Sequence, residues 1–266
     1  MSISKGATVL ITGANGFLGR AILARLQAAD ISVRATDLGA AGGVSEIVYR
    51  KADITRPEEL KPVLENATTV IHVAGLAHIF SPDANSVEKY ERINVGGTAT
   101  VVDTAIKAGV KRVVLFSTIA VYGPSNGGVL NEMSPTKPET YYAQTKLDAG
   151  KIVLDARDTN GQSIGTVLRL GAVYGSRIKG NYERLTCALA RHRFFPAGDG
   201  HNRRTLVYDK DVGRAAVLAV SHPAAAGRVF NVTDGGFHTL SEIIESLRVV
   251  FPAACGVKWG CERIHT

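Results

Sequence analysis

Short apolar runs and amphipathic stretches alternate along the first two thirds of the chain. Six runs have the length and mostly the β-branched content of strands, namely 8–12, 32–37, 47–53, 69–75, 112–118 and 165–170. The segments between them that have the length of helices include 17–29, 85–108 and 141–158. Strands alternating with helices predict an α/β fold, in which a doubly wound parallel sheet carries helices on both faces.

The pattern loosens after residue 171, where glycine, proline and basic residues become frequent. Two later helices are predicted in 210–222 and 241–251. We therefore predict that 1–171 form the sheet domain and that 206–232 return to it. The remaining segments, 172–205 and 233–266, are predicted to form a smaller lobe.

Composition narrows the classes of protein. The 266 residues are 45% hydrophobic and 21% charged, and no apolar run approaches the roughly 18 residues of a membrane span. The net charge is +7, but no block of like charges indicates nucleic-acid binding. Three cysteines without a paired spacing predict reduced thiols in a cytoplasmic protein, and we predict no metal site.

A glycine-rich turn follows the first strand, in the sequence TVLITGANGFLGRAILARL. Gly13 and Gly16 permit close approach of the backbone to a phosphate, and Gly19 permits the helix to pack on the sheet. This turn predicts dinucleotide binding. Asp37 ends the second strand about twenty residues on, where a carboxylate accepts hydrogen bonds from an adenosine ribose and repels the extra phosphate of NADP. The alternative is a solvated loop aspartate.

The stretch YYAQTK contains two tyrosines and a lysine in a predicted helix. Residues at i and i+4 share a helix face, so Tyr142 can meet Lys146 while Tyr141 points elsewhere. The spacing alone does not separate a catalytic pair from aromatic packing.

Asp53, at the end of the third strand, is placed to contact an adenine edge.

Five motifs occur in order: TGANGFLG, HVAGLA, INVGGT, FSTIAVYG and YYAQTK. Together they resemble the extended short-chain dehydrogenase/reductase family, the group of nucleotide-sugar epimerases, reductases and dehydratases. The resemblance spans residue 7 to about 245. It implies a Rossmann-type sheet, an NAD cofactor, and a homodimer formed by the helices in 85–108 and 141–158.

The resemblance assigns a catalytic set. Tyr142 matches the tyrosine of the family's YxxxK motif and Lys146 its lysine. The lysine ammonium and an oxidised nicotinamide are together expected to lower the pKa of the phenol. Thr118 matches the hydroxyl that binds the reacting oxygen, and Ser117 is expected nearer the cofactor. Tyr141 and Tyr122 are assigned to packing.

The resemblance also implies a set of cofactor contacts. These are Gly13, Gly16, Phe17, Leu18, Gly19, Asp37, Asp53, Ile54, Val73, Ala74, Gly75, Asn94, Ser117, Tyr142, Lys146 and Gly171. Asn94 would steady the backbone near the cofactor, and a purely structural asparagine is the alternative. His72 is interpreted as a packed strand residue.

Arg204 matches a family arginine that pairs with the diphosphate of a nucleotide-sugar, a task that suits a guanidinium. A solvated surface arginine is the alternative. Asn181 is a further candidate for the substrate phosphates. Ile119 and Ala120 stand where dehydratases carry an acidic pair, which argues against elimination of water.

The leading hypothesis is an NAD-dependent epimerase or 4-keto reductase of a UDP- or dTDP-sugar. The alternatives are a non-catalytic dinucleotide-binding scaffold or sensor, and a hydroxysteroid or other alcohol dehydrogenase. Relatives usually extend some sixty residues further, so the small C-terminal substrate lobe is expected to be incomplete.

Overall fold

The computed structural model describes residues 7–40, 47–77, 84–175, 181–191, 193–194 and 199–254, without the side chains of 84–85, 181, 248, 250 and 251–254. The strands are β1 (Thr8–Thr12), β2 (Ser32–Asp37), β3 (Val48–Lys51), β4 (Thr69–His72), β5 (Arg112–Thr118), β6 (Gly165–Leu170), β7 (Ala172–Tyr174), β8 (Arg203–Arg204), β9 (Leu206–Tyr208), β10 (Arg228–Val232) and β11 (His238–Thr239). The α-helices are α1 (Phe17–Gln27), α2 (Pro57–Leu64), α3 (Ala84–Tyr90), α4 (Gly97–Lys107), α5 (Tyr141–Asp155), α6 (Asn181–Ala190), α7 (Asp209–Ser221) and α8 (Leu240–Ala254). Within these ranges, no helix combines the length and the apolar character needed to cross a bilayer.

Seven parallel strands form the central sheet, in the order β10-β6-β5-β4-β1-β2-β3. The predicted doubly wound, Rossmann-type fold is therefore confirmed. The strand order reverses between β1 and β4, and ligands of such sheets bind at the carboxyl ends of the strands at this reversal. The turns after β1 and β4 therefore lie at the place where sheets of this kind bind their ligands.

Helices cover both faces of the sheet, which explains why its central strands are buried on both sides. All four residues of β4 and all six of β6 are buried. A continuous core lies between one sheet face and α2, α4 and α5; its members include Leu10, Leu60, Val101, Val113, Val153 and Val167. Elsewhere α1 packs against α7.

The predicted helix 85–108 is interrupted by a π-helical segment, Glu91–Gly96, between α3 and α4. Such insertions are frequent at functional sites because they turn one side chain out of the regular helical register. Here the one buried residue of the segment is Asn94.

The chain divides into two compact units, the first made of 1–171 and 209–232 and the second of 172–208 and 233–266. The prediction placed 206–208 in the first domain, and this is wrong. These residues form β9, which pairs with β7 of the second unit through Val173 and Val207. The second unit also contains the antiparallel pair of β8 and β11.

One of the three cysteines departs from the expectation of reduced thiols. Cys187 lies on α6, only 8% exposed, and is disulfide-bonded. No paired spacing in the sequence indicated the bond, because disulfide partners meet through the fold and not through sequence proximity. Cys255 and Cys261 lie outside the described residues.

Candidate active site

The turn after β1 and the start of α1 are packed so tightly that each requires a glycine. Gly13 has a φ of +73°, and a Cβ there would stand 2.6 Å from the backbone nitrogen of Ala74. A Cβ on Gly19 would stand 2.1 Å from the carbonyl oxygen of Gly13. The turn, the first helix and the turn after β4 are therefore packed backbone against backbone.

The N-terminus of α1 is suited to an anion. Gly16 is its N-cap residue, no side chain caps it, and its first turn contains no acidic residue. The N–H groups of a helix's first turn have no intrahelical acceptor, and the helix dipole is positive at that end. The predicted cofactor residues Gly16, Phe17 and Leu18 stand together at this end of the helix, where an anion would be favoured.

Asp37 ends β2 beside this turn, as predicted. Its carboxylate accepts hydrogen bonds from the backbone N–H of Asn15, at 2.9 Å, and of Leu38, at 2.7 Å. A carboxylate has about four acceptor positions, so it can also accept from a ribose hydroxyl. The solvated loop aspartate is therefore not what the structure shows, because Asp37 is tied to the phosphate-binding turn.

Three other predicted cofactor residues have structural contacts. Asp53 accepts at one oxygen from both the N–H and the hydroxyl of Thr55, at 2.9 and 2.8 Å. The side chain of Ile54 is 7% exposed and belongs to the core. Gly171 donates its N–H to the carbonyl of Val232 at 3.0 Å. A cofactor contact through the Ile54 side chain is therefore disfavoured, and its backbone stays a candidate.

The turn after β4 joins the phosphate-binding turn to the helix α5. Val73 and Ala74 both donate their N–H to the carbonyl of Thr12, at 3.2 and 3.1 Å. A Cβ on Gly75 would stand 3.1 Å from Oδ1 of Asn94 and 3.9 Å from Nζ of Lys146. The predicted residues 73–75 thus run between Gly13 and the lysine of the predicted catalytic set.

Asn94 clamps the end of this turn. Its Oδ1 accepts from the N–H of Leu76 at 2.7 Å, and its Nδ2 donates to the Leu76 carbonyl at 3.1 Å. Nδ2 also donates to Oγ1 of Thr145 at 3.1 Å. Asn94 is therefore structural in its contacts and at the same time steadies the backbone that the resemblance places beside the cofactor.

The end of β5 is joined to α5 by a side-chain hydrogen bond. Ser117 is buried and donates its hydroxyl to the carbonyl of Lys146 at 3.3 Å. Its neighbour Thr118 accepts from the N–H of Ala120 at 3.1 Å, at the start of the short 3₁₀ segment Ile119–Tyr122. This bond uses only a lone pair of Thr118, so its hydroxyl proton is left to donate to a reacting oxygen.

The two tyrosines of YYAQTK differ in their surroundings. Helix α5 begins at Tyr141, after Thr140, whose hydroxyl accepts from the N–H of Ala143 at 3.1 Å. Tyr141 is 61% exposed, so its assignment to packing is wrong. Tyr142 is half-buried, and its ring lies 6.3 Å from that of Tyr90.

Tyr122, by contrast, is buried as predicted. Its hydroxyl accepts from Arg169 at 2.7 Å and donates to Oδ1 of Asn231 at 2.9 Å. Tyr122 therefore packs in the interior and also forms two hydrogen bonds through its hydroxyl group.

Burial dominates the electrostatics of the catalytic pair. It raises the pKa of Tyr142 to about 12, with a further contribution from Tyr90. It also lowers the pKa of Lys146 to about 8, because an ammonium loses its hydration in the interior. The expected lowering of the phenol pKa by the Lys146 ammonium and an oxidised nicotinamide stays a prediction for the cofactor-bound protein; without a cofactor, desolvation dominates.

Two of the three predicted substrate residues, Asn181 and Arg204, belong to the second unit, whereas Thr118 belongs to the first. Arg204 lies on β8, is exposed, and stands opposite His238 of β11. Its charge acts on the phenol of Tyr182, whose pKa burial raises and Arg204 lowers, with burial the larger influence. Asn181 begins α6, and its side chain lies outside the described residues.

Sequence reasoning missed four residues around this site: Thr12, Tyr90, Thr98 and Thr145. Each contacts a predicted residue: Thr12 and Thr98 contact His72, Tyr90 contacts Tyr142, and Thr145 contacts Asn94. Their one sequence signal is position, since each stands within a motif or four residues from a motif residue. Threonine and tyrosine in such positions are equally common as packing residues.

Known proteins resemble this chain in sequence over most of its length. The model of the NAD dependent epimerase/dehydratase family matches residues 9–233. Over 248 residues, the chain is 28% identical to the UDP-glucose 4-epimerase of Vibrio cholerae, covering 91% of this chain and 75% of the relative. It is 27% identical to a sterol-4-alpha-carboxylate 3-dehydrogenase of Mus musculus, covering 87% of this chain and 65% of that relative.

Among solved structures, MoeE5 in complex with UDP-glucose and NAD superposes with a TM-score of 0.81 at 28% identity, covering 92% of this chain and 82% of MoeE5. The family match spans most of the chain, including the glycine turn, Asn94 and the Thr118–Tyr142–Lys146 set. The chain therefore belongs to the NAD dependent epimerase/dehydratase family, as its resemblance to the extended short-chain dehydrogenase/reductases predicted.

Proposed function

We propose that the protein is an NAD-dependent epimerase or 4-keto reductase acting on a nucleotide-sugar. The observation that carries the proposal is the hydrogen bond from Ser117 to the carbonyl of Lys146. It joins the strand end that carries Thr118 to the helix that carries Tyr142 and Lys146, so the three predicted catalytic residues lie on two elements that are directly hydrogen-bonded to each other.

The residues present fit an NAD molecule. The uncapped first turn of α1 suits the diphosphate, Asp37 suits the adenosine ribose, and the turn 73–75 beside Lys146 suits the nicotinamide side. When bound, NAD supplies a hydride acceptor in its oxidised form and a hydride donor in its reduced form.

The proton chemistry belongs to Tyr142. Its hydroxyl exchanges a proton with the oxygen on the reacting sugar carbon, and Thr118 donates a hydrogen bond to the same oxygen. Lys146 is largely protonated at neutral pH with a pKa of about 8, and a nearby ammonium favours the phenolate whenever the phenol gives up its proton. The raised pKa of Tyr142 makes the phenol the resting form, which suits proton donation to a keto oxygen.

The side chains after Thr118 favour epimerase or reductase chemistry over dehydration. Elimination of water requires an acid and a base beyond the tyrosine, and Ile119 and Ala120 contain no titratable group. We therefore assign no elimination step to this protein. Arg204 is proposed to pair with the diphosphate of a UDP- or dTDP-sugar, which a planar guanidinium binds through two hydrogen bonds.

The substrate class is tested by calorimetric titration of the NAD-loaded protein with UDP-, dTDP- and GDP-sugars and with sterols. We expect micromolar to millimolar binding of a UDP- or dTDP-sugar, and an Arg204→Ala variant that loses this binding while its affinity for NAD is unchanged. An epimerase then interconverts sugars without net consumption of cofactor, whereas a reductase consumes NADH in step with a keto-sugar.

A second candidate is an alcohol dehydrogenase for a sterol-like substrate, which the murine relative favours. It uses the same Thr118, Tyr142 and Lys146. Turnover of sterols without binding of any nucleotide-sugar would establish this candidate and refute the leading one. NAD binding without turnover of either class would instead favour a dinucleotide-binding scaffold.

A further inference from the structure

A line of buried side-chain hydrogen bonds runs through the first unit from the phosphate-binding turn to the catalytic helix. Its members are no more than 2% exposed; they are Thr12, His72, Asn94, Thr98 and Thr145. Thr12 directly precedes Gly13, and Thr145 directly precedes Lys146. The line therefore begins and ends beside the two functional parts of the site.

The hydroxyl of Thr98 determines the protonation of His72. Thr98 donates its proton to the backbone carbonyl of Asn94 at 2.6 Å, so its oxygen can only accept at the ring. Nε2 of His72, at 3.0 Å from that oxygen, must therefore carry a hydrogen. The histidine has one defined tautomer, with its proton on Nε2.

The other ring nitrogen has the complementary role. Nδ1 of a neutral imidazole protonated at Nε2 is an acceptor, so Thr12 donates its hydroxyl to it, at 2.7 Å. The oxygen of Thr12 accepts in turn from the N–H of Ala74, at 3.3 Å. Burial, reinforced by the charge of Lys146, lowers the pKa of His72 to about 3, so the ring stays neutral.

From Thr98 the line continues through the π-helical segment into the helix α5. Asn94 presents its carbonyl to Thr98 and its carboxamide to Leu76 and Thr145. Thr145 donates its hydroxyl to the carbonyl of Tyr142 at 3.1 Å. A displacement of Asn94 would therefore move both the turn after β4 and the helix α5.

We propose that His72 is a positioning residue, whose neutral ring, protonated at Nε2, holds Asn94 and thereby the distance between the turn after β4 and the helix of Tyr142 and Lys146. The Nδ1 side of the ring supports the phosphate-binding turn through Thr12, and the Nε2 side supports the catalytic helix through Thr98. The expected effect of His72 on turnover rests on the proposed function. The assignment of the hydrogen bonds of His72 does not depend on that function.

Two amide substitutions separate the two sides of the ring. The longer side chain of His72→Gln reaches the position of Nε2 and can donate to Thr98, whereas His72→Asn reaches the position of Nδ1 and can accept from Thr12. We expect His72→Asn to lower kcat by roughly 10- to 100-fold, because small misplacements of catalytic groups have effects of that size. We expect His72→Gln to keep kcat within about threefold and to weaken NAD binding by about tenfold, the equivalent of one lost hydrogen bond.

The measurements are steady-state kinetics, NAD titration and thermal unfolding of both variants, together with ¹⁵N NMR of the histidine-labelled unmodified protein. The NMR spectrum is expected to show His72 protonated at Nε2 and unchanged from roughly pH 5 to 8, the range in which ordinary histidines titrate. Variants of equal melting temperature with equal kcat and equal NAD affinity would refute the positioning role.

A proton on Nδ1, or a titration of His72 within that pH range, would refute the hydrogen-bond assignment. If the unmodified protein turns over no nucleotide-sugar, the proposed function fails on its own. The NMR spectrum and the difference in NAD affinity between His72→Gln and His72→Asn then still decide whether His72 supports the phosphate-binding turn as inferred.

Discussion

At the scale of single residues, the site depends on groups whose chemistry is changed by burial. Tyr142 and Lys146 share a helix face, but the pKa of one is raised to about 12 and that of the other is lowered to about 8. Both shifts have the same cause, because burial disfavours the charged form of each group. In the cofactor-free protein, Tyr142 is therefore protonated at neutral pH, and a charge placed beside it interacts with it more strongly than it would in water.

Tyr142→Phe removes one hydroxyl and should leave the fold and the NAD affinity intact. We expect turnover of a nucleotide-sugar to fall by about 10² to 10⁴, the range for loss of one positioned acid–base group. Tyr141→Phe is the matched control, because Tyr141 is the neighbouring residue and 61% exposed. Steady-state assays in which Tyr141→Phe is inactive and Tyr142→Phe is active would show that the catalytic tyrosine has been misassigned.

Asp37→Asn should weaken NAD binding and improve NADP binding. The substitution removes the charge that repels a 2′-phosphate. It keeps one oxygen, which can accept from the N–H of Asn15 or of Leu38 but not from both, since those bonds use different carboxylate oxygens. Asp30→Asn removes the same charge at an exposed turn with φ 56°, where asparagine is well tolerated, and should change neither affinity. Calorimetry that finds the unmodified protein preferring NADP would contradict the role of Asp37.

At the scale of elements, the site depends on the close approach of three backbone segments. The turn after β1, the helix α1 and the turn after β4 meet without intervening side chains. The π-helical segment Glu91–Gly96 then places Asn94 against the second turn. Glycine allows the backbones to approach closely, which larger side chains would prevent, and the π-helical segment brings Asn94 into contact with the turn after β4.

Gly19→Ala should destabilise the protein and abolish NAD binding, because the added methyl group would stand 2.1 Å from the Gly13 carbonyl oxygen. Relief requires a shift of backbone, so we expect a loss of about 1–3 kcal/mol in the free energy of unfolding. Gly96→Ala is the control, since Gly96 has a helical φ of −60° and the nearest atom would be 3.8 Å away. It should be neutral or stabilising by up to about 1 kcal/mol in urea unfolding. Equal effects of the two substitutions would contradict the close approach.

At the scale of the whole molecule, two buried basic groups should shape the dependence of stability on pH. His72 has its pKa lowered from 6.5 to about 3, and Lys146 from 10.5 to about 8. In both windows the unfolded chain binds more protons than the folded one, so stability rises with pH. The cofactor-free protein is thus expected to lose stability as the pH falls from about 6.5 towards 3, and to gain it between about 8 and 10.5.

Lys146→Met tests the upper window. At pH 7 the unmodified protein holds a desolvated ammonium, so the variant should be more stable by roughly 1–3 kcal/mol, and the difference should vanish as the pH approaches 10.5. Lys151→Met, on the same helix at a 60% exposed side chain paired with Asp148, should change stability by less than about 1 kcal/mol at either pH. Urea unfolding across this range that finds Lys146→Met destabilised at pH 7 would show that the ammonium is satisfied in the folded state.

What could be predicted from the sequence follows from local rules. Alternating apolar runs predicted the parallel sheet, and the glycine spacing predicted the phosphate-binding turn, because backbone sterics and burial act on neighbours in sequence. The YxxxK spacing singled out Tyr142, because helix geometry relates residues at i and i+4. The motif order indicated the family, which the match to residues 9–233 confirms.

Tertiary structure alone decided the rest, since it depends on groups far apart in the chain. The direction of the pKa shift of Tyr142 depends on how completely the fold desolvates it, and the assignment of 206–208 depends on pairing of β9 with β7. The tautomer of His72 is set by partners 60 and 26 residues away, Thr12 and Thr98. A lone histidine in an apolar strand contains no sign of them, because hydrogen-bond partners across a sheet are chosen by the packing of strands and helices and not by spacing along the chain.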